Sequence, residues 1–95
     1  MRFAAITALG ALAVVSQAKT IDFQKEIRPV LSENCFACHG PDPKSRMVGL
    51  RLDLKNAAME ARPHGAAVVP GHPEKSLLYL RLIEPKAALR MPPAH

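Results

Sequence analysis

The sequence predicts a small all-α domain, and three observations support this fold class. Phe23, Ile27 and Leu31 recur at the spacing of one helix face. Segments rich in proline and glycine divide the remainder of the chain into short stretches, several of which contain good helix formers. The 95 residues suffice for one domain, and the sequence shows neither an internal repeat nor a βαβ pattern. We therefore expect three or so short helices.

Residues 1–18 have the pattern of a secretory signal peptide. Met1-Arg2 gives a positive start, residues 3–15 are apolar or small, and Ser16-Gln17-Ala18 supplies the small residues that a signal peptidase reads. The apolar stretch is shorter than the ~18 residues of a usual membrane span. The alternative is an uncleaved or lipid-associated N terminus, which leaves membrane association open. We expect cleavage after Ala18, export to the periplasm or another extracytoplasmic compartment, and a mature domain of residues 19–95.

The first helix of that domain is expected between Phe23 and Asn34. Asp22 is suited to the N-cap position because its carboxylate can accept a hydrogen bond from the first turn. Pro29 removes one backbone donor, so it should kink the helix or delay its regular part to about Arg28. A turn-rich Gly-Pro-Asp-Pro segment then ends this helix.

Two further helices are expected downstream. Asp53 should cap a short helix that runs from Leu54 to about Ala61. Pro73 suits the first turn of a third helix, which should continue through Ile83 and end before the next proline.

The segment Cys35-Phe36-Ala37-Cys38-His39 is the C-x-x-C-H pattern of covalent haem attachment. Where it is helical, Cys35 and Cys38 lie on one face and can form thioethers to the two vinyl groups of one haem c, while His39 becomes the proximal iron ligand. A redox disulfide and a zinc site are the alternatives, the latter with His64 or His72 added. A covalent haem would also support a mature chain whose core alone is marginal at this size.

The second axial ligand of such a haem is less well determined by the residues. Met91 is favoured because it lies on a stiff, proline-rich segment and because a thioether is a soft ligand that raises the reduction potential. An open sixth position stays an alternative. So do the other candidate side chains, which are Met47, Met59, His64, His72 and His95.

The charge pattern argues against nucleic acid as a partner. The formal net charge is +5, but the basic residues are scattered, and aromatic residues make up only 4% of the chain. A modestly basic surface suits brief docking with an acidic redox partner, whose identity stays open, and it is equally that of an ordinary solvated surface. Candidates for contacts to the haem propionates are Arg51, Arg81 and Arg90.

The chain resembles the planctomycete-type cytochrome c domain between about Ile21 and Pro93. The resembling motifs are Asp22-Phe23, Ile27-Arg28-Pro29-Val30-Leu31, Cys35-Phe36-Ala37-Cys38-His39-Gly40-Pro41-Asp42, Gly49-Leu50-Arg51-Leu52-Asp53, Val69-Pro70-Gly71-His72-Pro73-Glu74-Lys75-Ser76 and Arg90-Met91-Pro92-Pro93. This resemblance implies a cytochrome c-like fold around one covalent haem c, with iron bound by His39 and Met91. Similar proteins continue into a further helix, so we expect that the C-terminal helix is missing and that the chain is part of a longer protein; the alternative is a minimal version of the domain.

These observations favour electron transfer over catalysis. Carrying an electron needs no acid, base or nucleophile, and the chain shows no convincing constellation of them. The alternative is an open-site haem enzyme or ligand sensor, peroxidase-like in chemistry, which requires that Met91 does not bind iron.

Overall fold

The computed structural model describes residues 2–5, 10 and 19–94, and over these residues it is helical and contains no strand. The α-helices are α1 (Arg28–Asn34), α2 (Lys55–Met59) and α3 (Leu77–Leu82). A π turn, Phe23–Ile27, precedes α1, and a 3₁₀ turn, Pro73–Lys75, precedes α3. The all-α prediction is confirmed for the described part of the chain.

The predicted signal peptide falls mostly on residues 1, 6–9 and 11–18, which lie outside the described residues, so it stays a prediction. Among the helices of the described ranges, none has the length and apolar character needed to cross a membrane.

The start of the domain follows the local rules. Asp22 is the N-cap of the π turn, and its Oδ1 accepts a hydrogen bond of 3.2 Å from the backbone N–H of Lys25. Regular α-helix begins only at Arg28, which places Pro29 in the first turn of α1, where a missing N–H costs no helical hydrogen bond. The predicted cap and the predicted delay of the regular helix are both confirmed.

The predicted limits of α2 are wrong at both ends. Its N-cap is Leu54 rather than Asp53, and it ends at Met59 because Glu60 has an extended backbone. The carboxylate of Asp53 instead binds the Arg51 guanidinium through two contacts, of 2.7 and 3.1 Å. The bidentate pair gives two hydrogen bonds in which both partners are charged, whereas a cap contact to a backbone N–H is charged on the carboxylate side alone, which explains why the carboxylate turns away from the helix.

The predicted third helix is interrupted. The 3₁₀ turn and α3 are separated by Ser76, whose backbone is extended, with φ −88° and ψ 114°. The Ser76 hydroxyl accepts a hydrogen bond from the Val69 N–H at 2.8 Å and donates one to the His72 carbonyl at 3.0 Å. These bonds hold Ser76 in a non-helical conformation, so the helix restarts at Leu77.

The core of the described chain is small and consists of Leu52, Ala58 and Ala67. Partly buried side chains pack against it, namely Cys35, Phe36, Leu50, Val68 and Leu78. Among the described elements, the backbones approach closely only between the π turn and α1 and between the 3₁₀ turn and α3. Backbone hydrogen bonds from loops therefore connect the elements, including a 2.9 Å bond from the Val68 N–H to the Ala58 carbonyl of α2.

Candidate functional site

The C-x-x-C-H segment forms a single tight turn at the C-terminal end of α1. The Cys35 carbonyl accepts hydrogen bonds from the N–H groups of Cys38 and His39, at 3.2 and 2.8 Å. Cys35 is itself the C-cap of α1, and its N–H donates to the Leu31 carbonyl at 2.8 Å. Both cysteines are free thiols, Cys35 half-buried and Cys38 exposed. The turn therefore brings Cys35, Cys38 and His39 into one short, hydrogen-bonded unit.

His39 is half-buried, and its ring has one unusual feature. The Nδ1 atom is buried without a hydrogen-bond partner among the described residues. Burial is the main cause of a lowered pKa for the imidazole. The nearby Met47 backbone raises this pKa, although it does not reach hydrogen-bond geometry with the ring. The positive charge of Arg62 lowers it further. The ring is consequently favoured in its neutral form, which is the form that binds metals.

The backbone on either side of His39 is fixed by longer-range bonds. The His39 carbonyl accepts a hydrogen bond of 2.8 Å from the Leu52 N–H, which ties the turn to the core. The Met47 N–H donates to the Cys38 carbonyl at 2.7 Å, which closes the loop that follows.

Burial raises the pKa of the Cys35 thiol.

Gly40 allows the chain to leave the turn. It is buried, and a Cβ built on it would overlap the Phe36 carbonyl oxygen and lie 2.9 Å from the Phe36 carbonyl carbon. Glycine is therefore required here for close approach of backbone to backbone. The Arg46 guanidinium then donates from Nε to the Gly40 carbonyl at 2.9 Å and from Nη2 to the Pro41 carbonyl at 3.1 Å.

The same loop is organised further by Asp42. Its carboxylate accepts hydrogen bonds from the Lys44 N–H at 2.9 Å and from the Ser45 hydroxyl at 3.0 Å. The Lys44 bond is the main cause, and the Ser45 bond the second, of a lowered pKa for Asp42. The loop after His39 is thus held by side chains as well as by backbone bonds.

Met91 lies in a different loop, which follows α3. Its N–H donates to the Arg81 carbonyl at 3.0 Å, and 38% of the residue is exposed. Within the described residues no hydrogen bond joins Met91 to the turn of Cys35–His39. The structure therefore groups three of the four predicted site residues in one turn, while Met91 stands in a separate loop as a partly exposed residue.

The other candidates for a second axial ligand are scattered. His64 is exposed, Met59 is half-buried in α2, and Met47 is 59% exposed. His72 is exposed, and its Nδ1 lies 3.0 Å from Glu74 Oε1. His95 lies outside the described residues. Over the ranges that the structure covers, no group of three or more His, Cys, Asp or Glu is arranged to hold a metal ion, so the zinc set with His64 or His72 is not assembled.

Sequence reasoning missed the roles of three arginines. From the sequence, Arg46 is one of the scattered basic residues, and Arg81 and Arg90 are candidates for contacts to propionates. In the structure each of them donates to backbone carbonyls of a loop that adjoins a predicted ligand. Arg51, the other propionate candidate, is paired with Asp53. The available signal is a repeated spacing, because Arg46 and Arg90 each lie five residues after a proline.

Comparison with known proteins agrees with the geometry of the turn. The family model described as Planctomycete cytochrome C matches residues 35–95, which is more than half of the chain and begins at the first cysteine of C-x-x-C-H. No curated protein and no solved structure matches the chain. The match confirms the resemblance inferred from the motifs, and the chain belongs to the planctomycete cytochrome c family.

Proposed function

We propose that this chain transfers electrons through one haem c that is joined covalently to Cys35 and Cys38 and has His39 and Met91 as its axial ligands. Membership of the family implies covalent haem c and suggests a haem-based electron-transfer role. The observation that carries the residue assignment is the turn closed on the Cys35 carbonyl, which unites both thiols and the imidazole in five residues.

The residues present fit a haem in three respects. Two free thiols sit in one helix-like turn, as attachment at two points of a single ring requires. The buried and unpartnered Nδ1 of His39 leaves Nε2 as the nitrogen to bind iron. Large apolar side chains of α3 are also exposed, among them Tyr79 and Leu82 at 44% and 47%, and a large apolar group would cover such surface.

The haem and the residues of the chain have separate roles in the proposed electron transfer. When bound, the haem supplies an iron centre that cycles between the ferric and ferrous states. Cys35 and Cys38 tether the ring, and His39 supplies a ligand whose backbone is fixed on both sides. The Met91 thioether, a soft and neutral ligand, favours the ferrous state and raises the reduction potential. No residue of the chain needs to move a proton for this function.

Haem staining of the purified, denatured protein tests the covalent attachment. We expect the stain to stay with the chain and to be lost when both cysteines are replaced by serine. A stain that is released on denaturation would contradict the assignment of Cys35 and Cys38.

Absorption spectra test the axial ligands. We expect a low-spin spectrum with the long-wavelength methionine–iron band, and we expect Met91→Ala to abolish that band. A high-spin parent spectrum that changes on addition of carbon monoxide would instead support the open-site enzyme or sensor. Persistence of the band in Met91→Ala would assign the ligand to another side chain.

We also propose that residues 1–18 direct export to the periplasm, where the haem is attached, and that the redox partner presents an acidic surface. The pattern of residues 1–18 supports the first proposal, and the net charge, which is +5 for the whole chain and +4 once Arg2 is removed, supports the second. N-terminal sequencing of the mature protein should begin at Lys19. The rate of electron exchange with the partner should fall as the ionic strength rises.

A further inference from the structure

Two loops of this chain share one construction that the proposed function does not account for. In the first, Arg46 donates from Nε to the Gly40 carbonyl at 2.9 Å and from Nη2 to the Pro41 carbonyl at 3.1 Å. In the second, Arg90 donates from Nε to the Glu84 carbonyl at 2.7 Å and from Nη2 to the Pro85 carbonyl at 2.9 Å. In both loops the arginine Nε binds the carbonyl six residues earlier, and Nη2 binds the proline carbonyl five residues earlier.

The repeated unit reads X-Pro-x-x-x-x-Arg in the sequence, as Gly40-Pro41 to Arg46 and as Glu84-Pro85 to Arg90. The planar guanidinium presents its donors in a fixed fork, which can span two successive carbonyls, whereas a lysine ammonium acts as a single point charge. We call each such unit an arginine clamp.

Each clamp adjoins one of the proposed axial ligands. The first begins at the residue directly after His39, and the second ends at the residue directly before Met91. Beside each clamp, a further backbone hydrogen bond involves either the proposed ligand or the residue next to it. The Met47 N–H, next to Arg46, binds the Cys38 carbonyl at 2.7 Å. The Met91 N–H binds the Arg81 carbonyl at 3.0 Å.

Two hydrogen bonds attach the loop of the second clamp to Arg81 of α3, one through its side chain and one through its carbonyl. The Arg81 Nη1 donates to the Leu89 carbonyl at 3.1 Å, while the Arg81 carbonyl, near the end of α3, accepts from Met91. That carbonyl belongs to the last turn of the helix, where carbonyls lack partners inside the helix. The Met91 backbone is therefore attached to the end of α3. Arg90 holds the loop between α3 and Met91 through its bonds to the Glu84 and Pro85 carbonyls.

We infer that the two arginine clamps are positioning devices for the two axial ligands, with Arg46 holding the His39 side and Arg90 holding the Met91 side. This inference rests on the proposed function for its relation to iron. Neither arginine touches the reacting centre in this assignment; each acts through the backbone that carries the ligand.

The test compares Arg46→Lys with Arg90→Lys in the haem-loaded protein, because both changes retain the charge and remove the fork. Lys86→Gln is the control for charge in the second loop, since the Lys86 side chain makes no hydrogen bond within the described residues. Two quantities are measured, the denaturant concentration at which the methionine–iron band is lost and amide hydrogen exchange at Met91 and Met47.

Arg90→Lys should raise exchange at the Met91 N–H by about fivefold, the factor expected for loss of one net hydrogen bond. In Arg90→Lys the methionine–iron band should also be lost at a lower denaturant concentration than that at which the whole protein unfolds. Arg46→Lys should raise exchange at the Met47 N–H and leave the Met91 N–H within about twofold of the parent. Lys86→Gln should change neither.

Equal effects of the two arginine variants on both amides, or no effect of either, would overturn the inference. Failure of the ligand assignment is distinguishable from this result. If the parent lacks the band, or Met91→Ala retains it, the proposed ligation is wrong. The amide-exchange comparison still decides whether each clamp holds its own loop.

Discussion

Replacement of Ser76 by alanine should destabilise the protein more than its small change in volume suggests. Ser76 is 7% exposed and is the buried polar residue of the described chain. Its hydroxyl accepts a hydrogen bond of 2.8 Å from the Val69 N–H and donates one of 3.0 Å to the His72 carbonyl. A single hydroxyl proton serves one acceptor at a time, so the longer 3.3 Å contact to the Val69 carbonyl competes with the His72 bond.

The magnitude follows from what alanine leaves behind. A net hydrogen bond contributes roughly 0.5–1.5 kcal/mol, and a buried donor left without a partner costs about 1–3 kcal/mol. Alanine removes both hydrogen bonds and leaves the part-buried Val69 N–H without its acceptor, so we expect a loss of about 2 kcal/mol in the free energy of unfolding. For a domain of this size such a loss lowers the Tm by roughly 10 °C.

The assay is thermal unfolding of the haem-loaded protein, followed by far-ultraviolet circular dichroism. Ser32→Ala is the matched control, because Ser32 is exposed on α1 and its hydroxyl makes no hydrogen bond within the described residues. This variant should unfold within about 2 °C of the parent, since alanine is also the better helix former. The reasoning is refuted if Ser76→Ala lowers the Tm no more than Ser32→Ala.

Two further predictions test the packing of the turn and the acid stability. Gly40→Ala should cost about 1–3 kcal/mol, because its Cβ would force the Phe36 backbone to move; an unchanged urea midpoint in the haem-loaded protein would contradict this. Asp53→Asn tests the Arg51 pair. The Arg51 side chain lowers the pKa of Asp53, so the pair stabilises the fold above about pH 4, and that contribution is lost as the pH falls through the lowered pKa. The urea midpoints of Asp53→Asn and the parent should therefore differ at about pH 6 and converge in acid; a constant difference would show that the charge of Asp53 is not responsible.

Short-range rules explain the part of the fold that the sequence predicts well. The Asp22 cap and the delay of regular helix to Arg28 depend on contacts within about one turn. Two of the errors arise from competition between partners. Asp53 has two local choices, the Arg51 side chain two residues before it and the start of α2, and propensity does not decide between them. Ser76 breaks the third helix by bonding to Val69, seven residues earlier, a partner that is set by how the loop folds back.

The candidate site divides in the same way. Cys35, Cys38 and His39 are predicted by a contiguous motif, and the structure closes that motif into one turn. Met91 lies more than fifty residues later, and the described contacts attach it to Arg81 rather than to the motif. Its role as an iron ligand therefore stays a prediction, drawn from thioether chemistry and the family resemblance, that spectroscopy must test.

The arginine clamps are a physical consequence of proline-rich loops around a small core. Proline has no N–H, and it disfavours helix for the residue before it, so the carbonyls of an X-Pro pair are left without helical partners. Buried apolar contacts cannot fix such loops here, because the core of the described chain is limited to Leu52, Ala58 and Ala67. A guanidinium five residues later satisfies both carbonyls at once and fixes the loop with one side chain. The two clamps can thereby hold the loops that adjoin His39 and Met91, the proposed axial ligands, in place.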